Sequence, residues 1–268
     1  MPIVLSHLRR YAIARSLFKP TTLMRAIEKL GFVQADPIRA PARAQDLTLR
    51  HRVNGYRAGD LERRYPELAL EEDFFVNYGV LPRAHQALMH PRQVKSKSSP
   101  VRAKRMDAIL AFVRERGAVH PREVDAHFSH GRVTNWFGGS SNASTQLLDH
   151  MHYRGLLRVA RRDGGTRVYV VREPAPETAA NTAADAALEM APDTVLEVRR
   201  TAAAKASAAL KMDALVDVIV RKYAPLPAST LAALVNRLRY GAPQWAKDRA
   251  AALARAKQRL GHARIDGV

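Results

Sequence analysis

Between Val33 and Pro37 the chain reads V-Q-A-D-P. Pro37 disfavours helix at the residue before it, so this stretch is expected to be extended. In an extended chain, residues two apart face the same side. Gln34 and Asp36 would then present an amide and a carboxylate to one surface. Arg39, Arg43, Arg50 and Arg52 follow, enough to grip phosphates around it. A carboxylate on such a surface is repelled by the phosphates, and it is tolerated where it meets developing positive charge. The oxocarbenium-like sugar formed when an N-glycosidic bond breaks carries that charge. The same carboxylate could activate or orient a water for attack at the sugar carbon. The amide could hold that water, the sugar or a base edge. The plainer alternative is a turn or helix cap at Asp36-Pro37 beside an idle surface glutamine. The Q-x-D triplet alone does not choose between them.

Bulk charge says what the surface would hold. Lys and Arg number 44 against 25 Asp and Glu, a formal net charge of +19 over 268 residues. Such an excess points to a polyanion, and double-stranded DNA is the expected partner. Anionic membrane is the rival, but there is no apolar run near the roughly 20 residues a span requires. The N-terminus "MPIVLSHLRRYAIARSLF" lacks the apolar core of a signal peptide. A cytoplasmic, nucleoid-associated monomer is expected. The chain has no cysteine, which excludes disulfides, thiolate zinc sites and iron–sulfur clusters. His150 and His152 lie two apart in a helical stretch and diverge, so no metal is expected, and no cofactor. "WFGGSSN" lacks the Lys-Ser/Thr ending of a phosphate-binding loop.

The elements that must position Gln34 and Asp36 read mainly as helices with small β-hairpin wings, in tandem winged helix-turn-helix units. The first unit is placed at 1–92. "SHLRRYAIARSLF" has Leu8, Tyr11, Ala12 and Leu17 near helical spacing, with Ser6 as a possible cap. In "TTLMRAIEKLGF", Thr21 or Thr22 caps, Leu23, Ile27 and Leu30 form the stripe, and Gly31 ends the helix. A strand is expected over Phe74 to Leu81, with Pro82 opening a short helix. The polar stretch 90–105 is a boundary. Its Lys95, Lys97 and Arg102, with Lys104 and Arg105, form a basic cluster suited to DNA backbone.

The second unit is placed at 101–172. It comprises a helix ending at Gly117, a short helix opened by Pro121, and a third helix facing Leu147, Leu148, Met151 and Leu156 inward. "LLRVARRDGGTRVYVV" then alternates around D-G-G as a hairpin. Three helices and a hairpin in that order make a winged helix. Arg161 and Arg162 of this wing, flanked by Arg158 and Arg167, are candidate DNA contacts. "SHGRVTNWFGGSSN" reads as a loop whose Trp136 and Phe137 either anchor it on the core or wedge into a groove. A third, incomplete unit is placed at 183–268, and "ARIDGV" is expected to begin a strand.

"LGFVQADPIRAPARAQDLTLRHRVNGY" followed by "EEDFFVNYGVLPR" resembles the AlkZ/YcaQ-like winged-helix DNA glycosylases. That family removes N-alkylated purines and unhooks interstrand crosslinks, using a Gln-apolar-Gln or Gln-apolar-Asp motif. Gln34-Ala35-Asp36 matches the second form, and Arg43 falls where relatives place a DNA-contacting arginine. The resemblance implies a monofunctional glycosylase, with Asp36 steadying the oxocarbenium and positioning water and Gln34 as its partner. Many relatives carry a W-x-H stretch where this chain has Phe75-Val76-Asn77-Tyr78. Relatives also continue into a C-terminal β-rich domain that is not expected here. The competing function is a non-catalytic winged-helix DNA-binding protein, such as a transcription regulator, with Asp36 as a structural cap.

Overall fold

A computed structural model of the chain describes residues 3–93, 99–134, 139–173, 193–261, 263 and 265, with side chains of the 193–261 run from residue 206. The described fold is mainly helical, with small antiparallel sheets.

The first helix, α1, spans Leu5–Ser16. Its N-cap is Val4, not Ser6, and it buries none of its residues. Tyr11, Ile13 and Leu17 stay exposed. What fastens it is Arg15, whose Nη2 donates to the carbonyls of Val220 at 3.3 Å and Arg221 at 3.1 Å. Helix α2 (Leu23–Leu30) follows the sequence reading. Thr22 Oγ1 accepts from Arg25 N at 3.4 Å, the stripe is buried, and Gly31 closes the helix at φ 71°.

Strand β1 (Val33–Gln34), α3 (Ala44–Leu49), α4 (Asp60–Arg64) with a 3-10 turn at Tyr65–Glu67, β2 (Leu70–Phe74), β3 (Tyr78–Pro82) and α5 (Arg83–Ala87) come next. The sheet order is β1–β3–β2. The single strand expected over Phe74 to Leu81 is thus a hairpin. Its tip closes where Phe75 N donates to Asn77 O at 2.9 Å. Phe75 and Val76 are buried because that tip docks into the C-terminal helices, so their hydrophobicity marks a contact and not strand continuity.

The sheet is covered on both faces. Adjacent strand residues point oppositely, and Val33 and Val80 enter one core while Phe32 and Leu81 enter another. The first core is shared with α6 (Pro100–Arg116), α8 (Ala143–Arg154), β6 (Leu157–Asp163) and β7 (Thr166–Val171), through residues such as Ile109, Leu148 and Val159. Ser99 caps α6, and α7 (Pro121–Phe128) opens on its proline. Between α7 and α8, the expected loop contains β4 (Arg132–Thr134) paired with β5 (Ser140–Asn142). Trp136 and Phe137 lie outside the described residues. The β6–β7 hairpin turns at Gly164-Gly165 as expected. The second core is completed by α9 (Asp193–Tyr223), α10 (Ala228–Gly241) and α11 (Arg249–Arg259). Of the strand expected at "ARIDGV", only Ala263 and Ile265 are described, and neither is in a strand.

Strand β2 carries Glu71, Glu72 and Asp73 in succession, all buried. Each is met by arginine. Glu71 accepts from Arg83 at 3.0 Å and Arg158 at 2.9 Å, and Glu72 from Arg162. Asp73 accepts from Phe74 N, Arg92, Gln86 and His90, each at 2.7 Å. Arg92 also donates to the carbonyls of Tyr153 at 2.8 Å and Gly241 at 2.6 Å. One ion pair therefore ties β2, α8 and α10 together. Burial opposes the charge on Asp73, but the Arg92 guanidinium and the His90 hydrogen bond outweigh it and hold the carboxyl well below its ordinary range.

Candidate active site

A cleft of about 420 Å³ opens between the first sheet and the β6–β7 turn. Asp36 and Arg39 line it from the segment after β1, Gln45 and Glu62 from α3 and α4, Glu72 and Tyr78 from the β2–β3 hairpin, and Gly164-Gly165 from the turn. Its size suits a small ligand or a single extruded group.

Asp36 reaches this cleft for local reasons. Val33 pairs with Val80 and Gln34 with Gly79. The approach is close: a Cβ on Gly79 would lie 2.3 Å from Val33 O and 2.5 Å from the Phe32 ring, so only glycine fits. Ala35 N donates to Tyr78 O at 3.1 Å, the last bond of the ladder. The chain then bends. Asp36 N donates to Gln45 Oε1 at 3.0 Å, and Asp36 Oδ1 accepts from Ile38 N at 2.9 Å, an Asx turn around Pro37. Oδ2 takes no hydrogen bond or ion pair among the described residues. Gln34 stays in β1, half-buried, and is not among the lining residues. The structure therefore brings Ala35 and Asp36 to the cleft, without Gln34.

The other carboxylates of the cleft are engaged. Glu62 is ion-paired with Arg43, which also holds Asp46 at 2.9 Å. The hydrogen bond that Arg43 donates to Glu62, and then the one it donates to Asp46, raise the Arg43 pKa against the effect of burial. Glu72 accepts from Arg162 at 2.8 and 2.7 Å and from the Tyr78 hydroxyl at 2.8 Å. Burial pushes Glu72 up, but the Arg162 and Tyr78 hydrogen bonds and the cationic charge outweigh it, so its pKa is lowered. Burial, then the Glu72 charge, pushes the Tyr78 phenol well up, which keeps it a proton donor. The Arg167 guanidinium sits 4.6 Å from the Tyr78 ring centre and is ion-paired with Asp149 at 2.6 Å. Among the lining carboxylates of the described residues, Asp36 alone has no cationic partner within ion-pair distance.

The cationic candidates divide in the same way. Arg39, Arg50 and Arg102 are exposed, and their guanidinium groups make no hydrogen bond or ion pair among the described residues. Arg52 donates to Ser16 O and Thr48 O, both at 2.6 Å. Arg161 pairs with Asp163 at 3.0 Å on the surface. Arg43 and Arg162 hold carboxylates within the cleft wall. Lys95 and Lys97 lie outside the described residues. Sequence reasoning gave no site role to Gln45, Glu62 or Glu72, and noted Tyr78 only as a departure. The readable signal was the acidic triplet at 71–73, set among apolar residues in a strongly basic chain.

The family model described as DNA glycosylase AlkZ-like matches residues 27–268. The chain belongs to this family. Membership brings a general DNA glycosylase role and DNA as the partner, and the match spans every residue named as lining the cleft. No curated protein and no solved structure matches the chain. No helix among the described residues is long and apolar enough to cross a membrane, and no cluster of three metal-ligating side chains occurs among them.

Proposed function

We propose that this AlkZ-like glycosylase hydrolyses the N-glycosidic bond of cationic N7-alkyl purines, including crosslinked ones, with Asp36 as the catalytic carboxylate. The observation that carries the proposal is the open Oδ2 of Asp36 in a cleft where Glu62 and Glu72 are neutralised. An N7-alkylated purine leaves easily, because the bonding pair of the breaking C1′–N9 bond neutralises its positive charge. The sugar becomes an oxocarbenium, which Asp36 stabilises. Water attacks C1′ and gives its proton to Asp36. Gln34 is the proposed partner, from a position behind Ala35. No lysine is among the described lining residues, which favours water over an amine nucleophile.

Winged-helix geometry is the accompanying proposal. The order α2, β1, α3, α4, β2, β3 supports it, as does α6, the Val119–Tyr169 bridge, α7, α8, β6, β7. The proposed units are 1–92, 101–172 and 183–268, acting as a monomer on cytoplasmic, nucleoid DNA. Arg39, Arg50 and Arg102 are proposed to hold phosphates.

The Asx turn at Oδ1 favours one competing reading, in which Asp36 is structural and the protein only binds DNA. Asp36→Asn separates the two. Asparagine keeps the oxygen that accepts from Ile38 N and removes the charge. With duplex containing N7-methylguanine, abasic-site formation is expected to fall by about 10²–10³-fold while DNA affinity holds. Undiminished excision would leave Asp36 as a turn residue.

A further inference from the structure

Away from the cleft, a second cavity of about 240 Å³ lies where α1, the end of α2 and the end of α9 meet. Its charged lining is entirely cationic among the described residues: Arg15, Lys29, Arg221 and Lys222. Arg15 is fixed through Nη2 on the carbonyls of Val220 and Arg221, yet its Nε is buried without a partner. The Lys29 ammonium lies 4.8 Å from the Phe18 ring centre and makes no ion pair among the described residues. Arg221 and Lys222 make no side-chain hydrogen bond or ion pair among the described residues. Burial, and then the charge of Arg52 behind it, lower the Lys222 pKa to about 8. Four like charges converging on a concave, partly apolar wall work against folding, and they focus a positive potential into the cavity. At Glu71, Glu72, Asp73 and Asp213 the fold answers arginine with carboxylate. Here no carboxylate answers the four cations among the described residues.

We infer that this cavity is a phosphate site separate from the cleft, taking a backbone phosphodiester of bound DNA. A phosphate offers several acceptor oxygens at once, suited to a guanidinium fork and two ammonium groups around one volume. DNA is the source because the family acts on DNA. The inference needs no chemistry at Asp36 and would hold for a protein that only binds DNA.

The test uses the full chain and unmodified duplex. Affinity is measured for wild type, Lys222→Gln and Lys29→Gln/Lys222→Gln between about 50 and 200 mM salt. The slope of log affinity against log salt is expected to shrink by about 1 in the double variant, and Lys222→Arg is expected to restore Lys222's share. Should Lys222→Gln fail to fold, the exposed Lys29→Gln and Arg221→Gln give the same readout. A second arm melts each protein in inorganic phosphate and in chloride at equal ionic strength. A phosphate-specific rise lost in the double variant, with the DNA slope unchanged, overturns the backbone assignment in favour of a free phosphorylated ligand. No change in either arm overturns the site itself.

Discussion

Asp36 and Asp73 are aspartates of the same proposed unit, one just beyond β1 and one on β2, and they could hardly be treated more differently. Asp73 is buried with both oxygens filled by four donors, each at 2.7 Å. Asp36, which lines the cleft, accepts one backbone N–H, at 2.9 Å, and its other oxygen has no partner among the described residues. A carboxylate with all its lone pairs answered is part of the scaffold, because any change in its charge breaks several bonds at once. A carboxylate left half-answered at a cleft edge has capacity for a ligand. The arginines repeat the contrast. Arg158, Arg162 and Arg92 meet buried carboxylates, whereas Arg39 and Arg50 face solvent with no partner among the described residues. Net charge alone overstates the DNA-facing surface, since part of it neutralises β2.

The contrast breaks most directly at Asp73. Asp73→Asn leaves Arg92 buried without its counter-charge, so urea unfolding should register a loss of about 3–5 kcal/mol. A loss under about 1 kcal/mol would mean that the clasp does not hold the three segments together. Asp36→Asn should move stability by no more than about 0.5 kcal/mol, the ordinary range for a surface change.

The next effect is set by pH. His152 is buried beneath β2, with Nε2 donating to Glu72 O at 2.9 Å, and burial lowers its pKa to about 4 from an ordinary 6.5. Between those values the unfolded chain takes up a proton that the native chain refuses. Stability therefore falls as pH drops from about 6.5 to 4, by up to roughly 3 kcal/mol. Thermal melts across that window should show the decline, and His152→Asn should flatten it. An equal decline in the variant would assign it to other groups.

The smallest effect sharpens the arginine comparison. Arg39→Ala and Arg50→Ala should each reduce the salt slope of DNA binding by about 1, with little change in stability. Arg158→Ala should leave the slope alone and cost about 1 kcal/mol of folding. A reversal of that pattern would show that exposure is a poor guide to DNA contact here.

Much of the fold was legible because it rests on local chemistry. Thr22 and Gly31 bracket α2, Gly117 ends α6, and the D-G-G turn produces β6–β7. What failed were places where a distant partner decides. Phe75-Val76 read as strand and became a docked tip. Of the apolar positions read at helical spacing for α1, Leu8 and Ala12 are half-buried while Tyr11 and Leu17 are exposed. Residues 129–142 read as loop and contain a paired hairpin. At the site, Asp36 and its extended approach could be read from Pro37 and the alternation. The ring of Glu62, Glu72, Tyr78 and Arg162 could not, because its members converge only through the sheet and the β6–β7 turn.

By itself, the sequence determined a basic, cysteine-free, helix-rich chain with a carboxylate held extended among arginines. Helix stripes, caps, turn residues and net charge depend on neighbours a few positions apart. Only the tertiary structure decided which charges are answered. An ion pair is a matter of distance and burial, and Arg162 finds Glu72 across 90 residues of chain. Asp36 stands apart because folding brings a cation to the other carboxylates of its cleft and leaves its Oδ2 open.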